Sequence, residues 1–121
     1  MARTTPAVDV HERVGGITGA NADITCALTN DATTTAEINK RGFSHGTVEN
    51  HTGSALTITW WASMTAGGTA HALQDEDGAA VTTVFAGDHA VAALPSAIAG
   101  VAYLIPVSNA ATDTVVVHLE R

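Results

Sequence analysis

Between Leu94 and Ser108 the chain runs LPSAIAGVAYLIPVS, and this stretch limits the fold more than any other. Its middle, Val101-Ala102-Tyr103-Leu104-Ile105, is apolar throughout and too short for a stable helix. Such a segment, with β-branched and aromatic residues, predicts a strand buried on both faces. Pro95 and Gly100 suit one short helical or 3₁₀ turn that reverses the chain just before it. The rest of the molecule must then supply strands to pack against this one.

The remaining segments fit that demand. Asn21 to Asn30 alternates Ile24, Cys26 and Leu28 with Asp23, Thr25 and Ala27, and Asn30-Asp31 turns the chain. The Thr run in Thr33 to Ile38 favours a short strand over a helical turn. From Phe43 to His51, Phe43, His45, Thr47, Glu49 and His51 share one face, opposite Ser44, Gly46, Val48 and Asn50. Thr52-Gly53-Ser54 predicts a hairpin turn into Ala55 to Ser63, with Leu56, Ile58 and Trp60 inward and Trp61 at an edge or interface. Thr69 to Gln74, Ala80 to Ala86, His89 to Leu94 and Thr114 to Leu119 read as further strands, and Asp75-Glu76-Asp77-Gly78 as a hairpin tip. The expected core is Leu56, Ile58, Trp60, Val81, Phe85, Tyr103, Ile105, Val115, Val117 and Leu119. About eight short strands, with turns every eight to twelve residues, predict an all-β sandwich or jelly roll.

The domain boundaries follow: residues 1–20 form an extended N-terminal arm, and residues 21–121 one sandwich domain. All the strong strand and turn signals lie from Phe43 onward, so that body is expected to fold alone. The arm encloses Val8 and Val10 between Pro6 and Gly15-Gly16 and holds too little apolar surface for an independent strand. An arm that orders against a neighbour fits better.

Charge bears on partners. Only 14% of residues are charged and the net charge is −7, which argues against nucleic acid as a partner. Arg3, Arg13, Lys40 and Arg41 lie in the first third, and the only later cation is Arg121. A mildly basic N-terminal region could meet an acidic neighbour, although scattered solvated charge is the plainer reading. The weakly charged surface suits a subunit of a larger assembly. Cys26 is alone, so no intrachain disulfide forms. No signal peptide or membrane span is evident, and the expected place of synthesis is a cytoplasm.

From Trp60 to the C-terminus the chain is similar to small accessory head proteins of tailed bacteriophages, the capsid decoration or cement proteins. The outline rests on Trp60-Trp61-Ala62-Ser63, Asp75-Glu76-Asp77-Gly78, Val84-Phe85-Ala86-Gly87, Leu94-Pro95 through Gly100, Val101 through Ser108, and Val115 through Arg121. Pro106 departs from it by interrupting the apolar strand, and the first 40 residues match no part of it. The resemblance implies a non-enzymatic virion protein on the outer capsid surface, a homotrimer, that bridges neighbouring subunits of the major capsid protein. Arg3, Val8, Val10, Arg13, Lys40 and Arg41 are then the candidate capsid contacts, and Trp61 the candidate oligomer or partner face.

Two other function classes stand beside it. A receptor- or glycan-binding module would use Trp61 as its platform, although a Trp pair more often supplies one core and one edge residue. A cupin-like metal protein would use His45, Glu49 and His51 with His71 or His89 from a neighbouring strand. The tight His-x-His pair followed by Glu is absent, so exposed or interface histidines are the plainer reading, and no cofactor or metal is expected. Asp75 to Gly78 lacks the downstream Glu of a calcium loop. The setting of Cys26 between Ile24 and Leu28 makes it structural, and no nucleophile elbow or phosphate loop occurs.

Overall fold

A computed structural model describes residues 3–11, 21–40, 42–87, 89–110 and 112–120. Their strands are β1 (Asp9–His11), β2 (Asn21–Leu28), β3 (Ile38–Asn39), β4 (His45–Asn50), β5 (Leu56–Ser63), β6 (His71–Ala72), β7 (Thr82–Phe85), β8 (Val91–Ala93), β9 (Tyr103–Ser108) and β10 (Asp113–Glu120), with one 3₁₀ turn at Ser96–Gly100. One sheet has the order β1-β2-β10-β4-β8. In the other, β3-β9-β5 is followed by β6 and β7, which both pair with β5.

Setting aside the short β1 and β6, eight strands pair in a nested way. The first pairs with the last (β2 with β10), the second with the next to last (β3 with β9), then β4 with β8 and β5 with β7. All four pairs are antiparallel, and alternate pairs fall in opposite sheets. That is a long hairpin rolled over on itself, the jelly roll.

The period-two pattern sets what each sheet buries. Ala22, Ile24, Cys26 and Leu28 of β2 face Val115, Val117 and Leu119 of β10 within the first sheet, and all join one core with Leu56, Ile58, Trp60, Val81 and Phe85 from the second. Each such aliphatic side chain contributes about 1.5–3 kcal/mol by leaving water. Trp60 is fully buried, and its indole N–H donates to Thr83 Oγ1 at 2.8 Å, so the ring adds area without an unmet donor.

The strand after the 3₁₀ turn is buried on both faces, as expected. Leu104 joins the core, whereas Ile105, paired with Trp61 on the opposite face, is also fully buried. Pro106 does not interrupt it. Trp60, its partner on β5, directs its own N–H and C=O the other way, to Val81 and Leu73. The missing N–H of Pro106 therefore falls beyond the end of β3, which pairs only with Tyr103 and Leu104. Its carbonyl there accepts the Thr35 hydroxyl at 2.7 Å.

Several expectations change. Thr33 to Thr35 form a turn rather than a strand, because Asp31 accepts the Thr33 N–H and hydroxyl on its side chain and the Thr34 and Thr35 N–H groups on its carbonyl. Thr52 to Ser54 do not close a hairpin: β4 and β5 lie in different sheets, and this turn carries the chain between them. Tyr103 is only half-buried, since it pairs with Ser63 on the outward side of its sheet. The region from Phe43 onward is not a complete body either. Central β10 takes its whole second edge from β2, and Ala36 and Ile38 belong to the core.

The described part of the arm is built into its own domain. β1 adds an edge strand to β2, Val8 packs against the core, and Thr4 bridges Ala36 just before β3. No helix among the described residues is long and apolar enough to cross a membrane.

Candidate functional site

Among the described residues, two places bring polar chemistry together, one around Arg3 and one on the opposite sheet. Arg3 turns inward. Its guanidinium donates through Nε to Glu37 Oε1 at 2.9 Å, through Nη1 to the Ala32 carbonyl at 3.2 Å, and through Nη2 to the Gly68 carbonyl. The two side chains of the pair are only 8% and 6% exposed. Lys40 is likewise buried, with Nζ donating to the Ile98 carbonyl, and burial lowers its pKa. Val8 is half-buried, and Val10 is placed only by its backbone pairing in β1. Arg13 and Arg41 lie outside the described residues. Among the described residues, then, both Lys/Arg side chains serve the fold, and the outer surface carries carboxylates and histidines.

Arg3 does more than pair. It joins the arm, the turn after β2 and the turn at Gly67-Gly68, where the Glu37 carboxylate also accepts the Gly67 N–H at 3.1 Å. These three segments rim a groove of about 950 Å³ on the outward face of the second sheet. Trp61, half-buried, lies in it with Val107, and Asn30, Thr33 and Thr69 line its polar side. Trp61, expected at an edge or an interface, lies on the outward face of β5, which has β9 on one side and β6 and β7 on the other and so is no edge strand. Glu37 was not singled out as a site residue, because its partners come from residues 3 and 67, far away in sequence. The only local signal was a carboxylate between Ala36 and Ile38.

The second place is the outward face of the first sheet, where β4 ends. Glu49 and His51 are on the face that alternation assigned them, and the turn before β8 brings His89 to them. His51 Nε2 lies 2.9 Å from Glu49 Oε1, and the His51 and His89 rings meet edge to face with centroids 5.2 Å apart. His118 on β10 adds Nε2 at 3.9 Å from Glu49 Oε1, and its Nδ1 meets Asp23 Oδ1. The hydrogen bond from His51, with the nearby histidine rings, holds the Glu49 carboxyl below its ordinary pKa. His45 lies away from this group and meets Glu120 Oε2 at 3.7 Å, while His71 sits exposed on β6. His118 and Asp23 are not among the ligands the sequence suggests. Their alternation put them outward, but only the pairing of β2 with β10 puts them side by side.

Cys26 is buried and its thiol is pushed up to about 12 by loss of solvation, so it stays protonated and unreactive in the folded protein. Asp75 to Gly78 form the expected hairpin tip, with Gly78 N–H bonding the Asp75 carbonyl at 3.0 Å and φ of 82° at Gly78. Compared with family models, with curated proteins and with solved structures, the chain matches none.

Proposed function

We propose that this chain is a non-enzymatic structural protein of a virion, which decorates an assembled capsid and cements it by bridging neighbouring subunits of the major capsid protein. The observation that carries this reading is the preformed groove around Trp61. An aromatic side chain in a desolvated pocket is the usual anchor of a protein interface. Here the pocket is held open by Arg3 and Glu37 before any partner arrives, so little ordering entropy is lost on docking. Jelly rolls recur in viral capsid and lectin domains, which is an argument from fold by analogy. The phage setting comes from the resemblance between Trp60 and the C-terminus.

The attachment surface in this proposal differs from the one that charge suggested. Arg3 and Lys40 act inside the fold, so the arm contributes by shaping the rim and Trp61 makes the contact. The homotrimer belongs to the same proposal, with exposed Val84 on β7 and Val91 on β8 as apolar surface for it. A second reading is favoured by the polar side of the groove: Asn30, Thr33 and Thr69 beside a Trp face suit a sugar ring, as in a receptor- or glycan-binding module.

One experiment separates these. Particles stripped of this protein are mixed with the intact chain, with Trp61→Ala and with Glu76→Ala at the exposed hairpin tip, and then sedimented. Capsid cementing expects the intact chain and Glu76→Ala to sediment with particles and Trp61→Ala to remain in solution while still folded. Co-sedimentation of Trp61→Ala at the intact level overturns the groove as anchor. Failure of the intact chain to bind particles, with Trp61-dependent binding to immobilised glycans, moves the assignment to the second reading.

A further inference from the structure

We propose that Glu49, His51 and His89 form a binding site for a first-row divalent cation of the Zn²⁺ type. One ligand atom from each of the three side chains lies within 4.8 Å of the others. Two imidazoles and one carboxylate suit zinc-like ions better than calcium or magnesium, which prefer oxygen ligands alone. With metal–ligand bonds of about 2.0–2.2 Å, tetrahedral ligands stand about 3.3–3.6 Å from one another. Glu49 Oε1 and His51 Nε2 are already 2.9 Å apart. The His89 ligand atom, within 4.8 Å of the others, would have to draw closer to complete the set, with water as a further ligand.

The backbone beneath the cluster is fixed by a residue that sequence reading left unassigned. Asn50, between Glu49 and His51, is fully buried, and its side-chain amide donates to the carbonyls of Ser54 at 2.8 Å and Gly87 at 3.0 Å. Its main chain accepts the His89 N–H at 2.7 Å and donates to the Ala90 carbonyl at 3.0 Å. One buried side chain thus ties together the two segments that carry the ligands. His89 has φ of 59°, a left-handed conformation uncommon outside glycine, and these bonds hold it there. Ligands mounted on pinned backbone need little reorganisation to meet an ion.

The surroundings supply the charge. Asp23 meets one nitrogen of His118, whose other nitrogen faces Glu49, so His118 is a positioning residue for the carboxylate. An ion bound between His51 Nε2 and Glu49 Oε1 would replace their direct contact of 2.9 Å. This site is independent of the Trp61 groove, which lies on the other sheet.

The test is calorimetric titration of the full, untagged chain with ZnCl₂ at neutral pH, with imidazole nitrogen NMR alongside. The expected result is one Zn²⁺ per chain, with ring resonances of His51 and His89 shifting together. His51→Ala, His89→Ala and Glu49→Gln should each weaken binding by at least about tenfold. His118→Ala should weaken it less, and His71→Ala not at all. All five side chains are outward, so circular dichroism should show each variant folded. Zn²⁺ binding that persists unchanged in the His51→Ala, His89→Ala double variant overturns the site, as does an equal loss in His71→Ala or no binding to the intact chain.

Discussion

Removing the Glu37 carboxylate is the sharpest test of how the arm is held. In Glu37→Ala the guanidinium of Arg3 keeps its bonds to the Ala32 and Gly68 carbonyls but loses its counter-charge at 8% side-chain exposure, and the Gly67 N–H loses its acceptor. Breaking one partner of a buried ion pair destabilises by about 3–5 kcal/mol, because the remaining charge is left without compensation. Domain stabilities are about 5–15 kcal/mol, so the variant should sit near the edge of folding. Replacing both partners, in Arg3→Met, Glu37→Met, removes the unpaired charge as well as the pair and should recover most of the loss. Urea unfolding followed by Trp fluorescence gives both midpoints, and equal slopes show that the change is one of stability. A loss below about 1 kcal/mol in Glu37→Ala is the size of a solvated surface pair and would refute the reasoning. The same logic bears on truncation: deleting Met1 to Gly19 removes Arg3 together with β1, so the shortened protein should unfold more easily than the intact chain.

Ile58→Asp should abolish soluble folding, since Ile58 is fully buried and an unpaired carboxylate there costs several kcal/mol; a soluble, cooperative Ile58→Asp protein would place the β5 register off by one. Gly46→Ala should disrupt the pairing of β4 with β10, because the added Cβ would fall 1.7 Å from the His118 carbonyl oxygen, and wild-type hydrogen-exchange protection in both strands would contradict this. Cys26 should resist iodoacetamide until the protein unfolds. Its thiol is raised from 9.0 to about 12 by burial, so above pH 9 the unfolded chain loses that proton first and stability should fall as pH rises toward 12. Cys26→Ala should flatten that alkaline limb, and an unchanged pH profile in this variant would assign the limb to other groups.

Local rules carried much of the fold. Alternation along β2, β5, β7 and β10 named the inward residues, and Asp75 to Gly78 announced its turn, because side-chain period and turn chemistry depend on near neighbours alone. The apolar run before Ser108 likewise declared a strand covered on both sides. Where reading failed, the deciding contacts were distant in sequence. Thr52 to Ser54 look like a hairpin locally, and only the nested pairing shows that they change sheets. Pro106 looks like a break until the end of β3 leaves its missing donor without a partner to satisfy.

The sites divide the same way. Alternation placed Glu49 and His51 on one face and offered His89 as a neighbour, but which way that face points, and the places of His118 and Asp23, needed the strand order. The charges are the clearest case. Arg3 and Lys40 look like surface cations because the groups that hold them lie far away in sequence. Tertiary structure brings Glu37, the Ala32 and Gly68 carbonyls and the Ile98 carbonyl to them from elsewhere in the chain. Period and turn type belong to a segment, whereas the partner of a long charged side chain belongs to the fold, because closure of the sandwich alone decides which carbonyls and carboxylates come within its reach.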